Sequence, residues 1–145
     1  MNKSEEITRR DIMARLHASL SAQDDLTDKE FEQTRQELAE RWDSMTDEEI
    51  GAEVLQNWVT TARIHEDMQT DRKFADTVTA SIMQFLSGDW GTVSAPDWEE
   101  NDISLRSGDG RILAAYSSAH GKFYISMRIT GHAAKNVTIL YADEY

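Results

Sequence analysis

Cysteine is absent from this 145-residue sequence, and proline occurs once. The lack of cysteine excludes disulfides, thiolate nucleophiles, iron-sulfur clusters and zinc sites that use cysteine ligands. No uninterrupted apolar stretch approaches the ~20 residues that span a bilayer, and the charged segment 1–10 is not followed by the apolar run of a secretory signal. We therefore expect a cytoplasmic protein that is neither secreted nor inserted in a membrane.

Basic residues are also scarce. The chain has 15 Lys and Arg against 27 Asp and Glu, which gives a net charge of −12 at pH 7. Long-range repulsion opposes binding to nucleic-acid phosphates, so we expect no direct nucleic-acid binding and a protein partner with a basic surface. Acidity that serves only solubility is the alternative explanation.

The length fits one domain, and a chain of this size buries roughly 68–70% of its unfolded surface. The residue pattern divides it into a helical region, residues 1–70, and an α+β region, residues 71–145, with one continuous domain as the alternative. We expect the α+β class: N-terminal amphipathic helices followed by a helix-covered, three-stranded antiparallel β-meander.

Two capping boxes mark helix starts in the N-terminal half. Thr27 with Glu30, and Thr46 with Glu49, place a hydroxyl and a carboxylate where they satisfy the free amides of a first helical turn. Apolar residues that recur every three to four positions extend these signals into helices. The expected helices span 5–21, 28–44, 47–65, 72–87 and 95–107.

The periodicity changes to two after the Gly108-Asp109-Gly110 turn. Alternating apolar residues predict strands over 111–117, 122–130 and 136–142, joined by loops short enough for hairpins. Such a sheet needs a cover on its apolar face, and the last two helices are the expected cover.

No recognisable catalytic or metal-binding pattern occurs in the sequence. Gln69 stands where a zinc helix that begins at His65 would carry its second histidine, and no glycine-rich phosphate loop is present. We therefore expect a protein that is not an enzyme and has neither cofactor nor metal. The alternative is a catalytic site assembled in space from Asp89, His120, His132 and Glu144.

Acidic and aromatic side chains are the candidate partner-binding residues. They are Asp43, Asp47, Glu48, Glu49, Trp90, Trp98, Glu99 and Glu100, with Trp42 and Trp58 as further candidate anchors. Carboxylates on helices can offer a row of negative charge to a basic groove, and tryptophan is enriched at interface hot spots. Alternatively, the acids only complement helix dipoles, and Trp90 plugs the gap between helix and sheet.

An ordered series of short motifs runs from residue 85 to residue 145. It comprises Gly88-Asp89-Trp90-Gly91, Trp98, Asn101-Asp102, the segment from Gly110 to Tyr116, Thr138-Ile139-Leu140 and Glu144-Tyr145. The series resembles that of small, largely uncharacterised proteins often met on plasmids and other mobile elements. This resemblance implies an accessory protein of a mobile element and does not imply a reaction.

Together, the charge and the resemblance favour a non-enzymatic inhibitor of a host nucleic-acid-handling defence complex, of the anti-CRISPR or anti-restriction type. Its acidic helices would occupy a basic surface of that complex. The alternative is a small regulatory or antitoxin-like interaction module that binds one cytoplasmic protein, or a second copy of itself, through its helices.

Overall fold

The computed structural model describes residues 28–131 and 133–145. The predicted helix over 5–21 and the Thr27 capping residue lie outside this range. The helices are α1 (Asp28–Asp43), α2 (Asp47–Asn57), α3 (Ala62–Thr70), α4 (Arg72–Leu86) and α5 (Ala95–Ser107), and the strands are β1 (Val59–Thr60), β2 (Gly110–Ser118), β3 (Gly121–Thr130) and β4 (Ala133–Tyr141). A 3-10 turn, Ala142–Glu144, follows the last strand. The described part of the chain is therefore α+β, as expected.

The capping box predicted for α2 is confirmed. The Thr46 hydroxyl accepts the Glu49 N–H at 3.2 Å, and the Glu49 carboxylate accepts the Thr46 N–H at 3.0 Å. The bond from the Thr46 N–H to the carboxylate is the main cause that holds the pKa of Glu49 below its usual value, and the two hydrogen bonds together form the capping box. They fix the corner between α1 and α2, where acidic residues are concentrated.

The prediction of one helix continuing to residue 65 is wrong. The α2 helix ends at Asn57, and Trp58 adopts an extended conformation with φ −97° and ψ 157°. Two residues then pair with β4, and the Thr61 hydroxyl accepts the Ile64 N–H to begin α3. The sheet pairing and the burial of Trp58 override the four-residue apolar spacing that favoured an uninterrupted helix.

The last two helices end close to their predicted bounds. The α4 helix starts at the Asp71 cap and closes with Gly88 in the left-handed region, where the Asp89 N–H bonds the Gln84 carbonyl. The α5 helix spans the predicted residues, between the Ser94 cap and a left-handed Gly108.

The sheet has four strands in the order β1-β4-β3-β2. The antiparallel meander of β2, β3 and β4 is present, and β1 adds a short parallel pairing to the outer edge of β4. The expected three-stranded antiparallel sheet is thus corrected to a four-stranded mixed sheet. The missing strand lay inside the segment predicted as helix.

One face of the sheet packs against helices and forms the core. Its buried residues include Ile112, Phe123, Ile125, Val137 and Ile139, which join one cluster with Trp42, Ile50 and Val54 of the first two helices. The division at residue 70 stays a prediction. Within the described ranges, no helix has the length and apolar character needed to cross a membrane.

Candidate binding surfaces

Trp90 is buried and cannot serve as an exposed anchor. Its side chain is 0% exposed, and its indole N–H donates to the Asp102 carboxylate at 2.9 Å. Trp42 and Trp58 are also buried, whereas Trp98 is partly exposed. Among the four tryptophans, only Trp98 therefore presents part of its ring on the described surface, and the anchor hypothesis for Trp90 is corrected to a core role.

The segment around Trp90 protects the free edge of β2. The Ala115 N–H bonds the Trp90 carbonyl at 3.1 Å, and the Thr92 N–H bonds the Ala115 carbonyl at 2.8 Å. Farther along the same edge, the Asn101 side chain accepts the Leu113 N–H and donates to the Leu113 carbonyl. An edge strand left unpaired would invite association with another chain, so this closure keeps β2 from acting as a docking edge.

Two more of the motif residues hold this closure together. The Tyr116 hydroxyl donates to the Asp89 carbonyl at 2.7 Å, and burial raises the pKa of Tyr116 well above its usual value. Gly91, with φ +76°, lies so close to β2 that a Cβ would come within 1.9 Å of the Ala115 carbonyl oxygen. The motifs Gly88–Gly91 and Asn101-Asp102 thus have a structural explanation in this fold.

The first group of predicted acidic residues lies at the α1–α2 corner, which we define as Asp43, Asp47, Glu48 and Glu49. All four are exposed. Asp47, Glu48 and Glu49 occupy the first turn of α2, where they complement the helix dipole. No ion pair is found for Asp43, Asp47 or Glu48 among the residues that the structure describes. The corner therefore presents concentrated negative charge that is available to a partner.

The second group lies on α5. Glu99 and Glu100 are exposed, and Glu99 lines a surface depression together with Trp98 and Arg106. Glu100 lines a different depression, on the other side of the helix, with Arg111 and Lys122. The structure therefore brings Trp98 and Glu99 together and directs Glu100 elsewhere.

The three described residues of the alternative catalytic site, Asp89, His120 and Glu144, have separate partners. Asp89 accepts hydrogen bonds from the Gly91 N–H and the Gln84 amide. The Glu144 carboxylate accepts hydrogen bonds from the Thr61 hydroxyl and the Tyr141 N–H. His120 contacts Asp67 of α3 and Asp71, the cap of α4. His132 lies outside the described residues. The structure gives the three described members no common site.

His120 instead joins the β2–β3 turn to the helices. Its Nε2 lies 2.7 Å from the Asp71 carboxylate and its Nδ1 lies 3.7 Å from the Asp67 carboxylate. The His120 hydrogen bond is the main cause that holds the pKa of Asp71 below its usual value. The Tyr141 hydroxyl donates a hydrogen bond to the Asp67 carboxylate. Burial is the main cause that raises the pKa of Tyr141, and this hydrogen bond is the second. This cluster, Asp67, Asp71, His120 and Tyr141, is a polar clasp between sheet and helices.

A surface that the sequence analysis missed lies on the sheet face opposite the core. We define the open sheet face by Arg111, Lys122, Tyr124, Ser126, Arg128 and Thr138, with Tyr145 packed over it. These residues alternate along the strands with the buried positions Ile112, Phe123, Ile125, Met127 and Val137. Arg111 lies 4.9 Å from the Tyr145 ring centre, Lys122 lies 5.8 Å from that of Tyr124, and the two rings meet edge to face. The face is therefore basic and aromatic.

The charge of the open sheet face contrasts with that of the whole chain. From residue 110 to residue 141 the sequence has four basic residues, Arg111, Lys122, Arg128 and Lys135, and no acidic residue. This interruption of the general acidity was the signal available from sequence. The alternation in β3 predicts its buried apolar side and leaves the role of the opposite side open.

Comparison with protein-family models, with curated proteins and with solved structures finds no match to this chain.

Proposed function

We propose that this chain is a non-enzymatic, acidic protein of a mobile genetic element that inhibits a host nucleic-acid-handling defence complex. The target is a complex of the CRISPR or restriction type, in the cytoplasm. Inhibition is steric and electrostatic: acidic helical residues occupy a basic surface that the complex uses to hold nucleic acid.

The α1–α2 corner carries this proposal. Its four carboxylates lie within seven residues, all are exposed, and the capping box of Thr46 and Glu49 fixes the turn between the helices. A preformed arrangement of charge loses little conformational entropy on binding, and unpaired acids attract a basic surface before contact. The corner can therefore compete with a phosphate backbone for lysine and arginine side chains.

Trp98 and Glu99 form a second, smaller contact in the proposal. The depression that they line has both an aromatic surface and a carboxylate, a combination suited to a hydrophobic anchor beside a lysine or arginine of the partner. The assignment to a mobile element comes from the resemblance of residues 85–145. Many residues of the matching series hold the closed β2 edge in this chain. Proteins that share this fold would therefore carry the same motifs.

The proposal is tested in bacterial cells that carry an active type I restriction or CRISPR system. Expression of the chain is expected to raise the plating efficiency of a targeted phage at least tenfold. The double variant Asp43→Lys/Glu48→Lys reverses charge at the α1–α2 corner and is expected to abolish protection.

The matched control is Glu66→Lys/Asp109→Lys, which changes the net charge equally at two exposed positions away from the corner. Protection is expected to persist with this control. Equal loss in both double variants would show that only total charge matters, and unchanged plating in every system tested would contradict the inhibitor proposal.

A second candidate function is a regulatory or antitoxin-like module that forms a homodimer through its helices. A groove of about 400 Å³ between α2 and α3, lined mainly by apolar groups that include Ala52, Leu55 and Met68, favours it. Val59, 58% exposed, also leaves an apolar side chain on the surface. Sedimentation velocity of the wild type and of the Leu55→Glu variant tests this function. A dimeric wild type and a monomeric variant would support the homodimeric module, and a monomeric wild type at 100 μM would exclude it.

A further inference from the structure

The open sheet face contains a pair of arginines that repel each other. Arg111 on β2 and Arg128 on β3 are directly opposite in the antiparallel register, and both are exposed. Like charges at such positions destabilise a sheet unless an anion lies between them. Within residues 28–131 and 133–145, no carboxylate forms an ion pair with either guanidinium. Two guanidinium groups on adjacent strands supply enough N–H donors to hold one phosphate group.

Aromatic and hydroxyl groups lie beside this pair. Tyr124 is partly exposed at the middle of β3, and Tyr145 is 58% exposed above it. Ser126 and Thr138 are cross-strand partners on the same face, and the Ser126 hydroxyl lies 3.5 Å from the Arg111 guanidinium. Aromatic rings stack on unpaired bases, and hydroxyl groups next to a phosphate site can hydrogen-bond a ribose 2′-hydroxyl.

We infer that the open sheet face binds single-stranded RNA, with the phosphate backbone at Arg111 and Arg128 and with bases on Tyr124 and Tyr145. The geometry is that of a sheet covered by helices on one side and open to unpaired nucleotides on the other. This inference goes beyond the proposed inhibition and does not depend on it, because the acidic corner belongs to other elements.

This inference departs from the expectation of no direct nucleic-acid binding, which rested on the overall charge of −12, and that charge sets the conditions for the binding. At physiological salt, charges more than about 8 Å from the strand are largely screened, so the local face dominates over distant helical acids. Asp97 and Glu100 line the same depression as Arg111, Lys122, Tyr124 and Tyr145. The phosphates are therefore expected to lie toward the Arg128 side of the face while uncharged bases reach Tyr124 and Tyr145, and the nearby carboxylates limit binding to micromolar rather than nanomolar affinity.

The test is fluorescence anisotropy of the purified chain with a labelled ten-nucleotide oligouridylate. Binding is expected with a dissociation constant below 100 μM at 50 mM salt. With Arg111 and Arg128 in contact with phosphates, the logarithm of the association constant is expected to fall with the logarithm of salt concentration with a slope of about −1.4. Arg128→Glu is expected to weaken binding at least tenfold.

The control variant is Lys73→Glu, which makes the same charge change at an exposed position on α4, away from the sheet face. It is expected to leave the dissociation constant within twofold of wild type. Tyr124→Ala is expected to weaken binding about fivefold or more, and Tyr124→Phe to retain it, since stacking needs the ring and not the hydroxyl. Circular dichroism and a thermal melt confirm that each variant is folded, and Arg128→Gln provides a milder second test.

Several results would overturn the inference. Absence of binding at 100 μM protein refutes it, and so does equal weakening by Lys73→Glu and Arg128→Glu. Equal affinity for the deoxyuridine oligonucleotide refutes the RNA assignment, because the 2′-hydroxyl then contributes nothing. Competition by polyglutamate as effective as by oligouridylate would show that the face recognises acidic protein instead.

Discussion

Asn101 is the residue on which the closure of the β2 edge depends most. It is 4% exposed, and its side chain satisfies both backbone groups of Leu113, much as a neighbouring strand would. We expect Asn101→Ala to lower the free energy of unfolding by about 2–3 kcal/mol, because it removes two hydrogen bonds at a half-buried strand edge. Urea denaturation followed by tryptophan fluorescence measures this loss.

The control for Asn101 is Asn57→Ala. Asn57 is exposed at the end of α2, and its amide makes only a long 3.5 Å contact with the Glu53 carbonyl. Its replacement is expected to change the free energy of unfolding by less than about 0.5 kcal/mol. If Asn101→Ala proves equally mild, the bidentate contact does not hold the edge.

Gly91 is constrained by both conformation and space. Alanine at this position would need a left-handed backbone and would overlap the Ala115 carbonyl oxygen. We expect Gly91→Ala to cost about 3 kcal/mol or more. Gly131→Ala is the matched comparison, because Gly131 also has a positive φ of 57° but no atom of the other described residues lies within 4 Å of its missing Cβ. A cost near 1 kcal/mol is expected there, and similar denaturation midpoints for the two variants would contradict the close approach.

At the scale of elements, the sequence predicted helix ends well where the capping residue alone determines the end, without a contact to a distant part of the chain. The α5 helix begins and ends at the predicted residues because its end signals are local. The Ser94 hydroxyl accepts a first-turn N–H, Pro96 needs no N–H partner in the first turn, and Gly108 adopts the left-handed conformation that ends the helix. The break after Asn57 was missed because Trp58 continues the apolar spacing of α2, while the pairing of Val59 with Thr138 is a contact between residues far apart in the chain. Periodicity carries no information about such a partner.

The polar clasp gives α3, α4 and the β2–β3 turn a pH-dependent connection. His120, with help from the Phe74 and Lys73 amides, holds the pKa of Asp71 below its unfolded value of 3.8. A carboxyl group with a depressed folded pKa contributes stability above its unfolded pKa, and this contribution is lost as the pH falls through the folded pKa. We expect the free energy of unfolding to decline from about pH 5 downward, in part through this group.

Asp71→Asn isolates that contribution. Asparagine still caps α4 but cannot form the ion pair with His120, so the decline in stability between about pH 5 and pH 3 should be shallower than in wild type. Urea titrations at several pH values measure the slope. Asp76→Asn, at an exposed carboxylate whose ion pair within the described residues is with Arg72, is the control and should keep the wild-type slope. A wild-type slope in Asp71→Asn would show that the clasp does not contribute to acid sensitivity.

At the scale of the whole molecule, charge is distributed unevenly over the fold. The net charge predicted an acidic surface, and the exposed α1–α2 corner agrees with that expectation. A sum over the chain could not show that Arg111, Lys122 and Arg128 lie together on one sheet face, since this depends on the strand register. Trp90 is buried beside the β2 edge, which its spacing in the sequence could not decide.

The proposed inhibition requires the chain to compete with DNA for a basic surface. The direct measurement is the binding of target DNA to a purified CRISPR surveillance complex and to a purified type I restriction complex, with and without saturating chain, by gel shift. In at least one complex, we expect the apparent dissociation constant for DNA to rise at least tenfold with the wild-type chain and to return to its original value with Asp43→Lys/Glu48→Lys. Unchanged DNA binding by both complexes, or equal inhibition by the charge-reversed chain, would contradict the account.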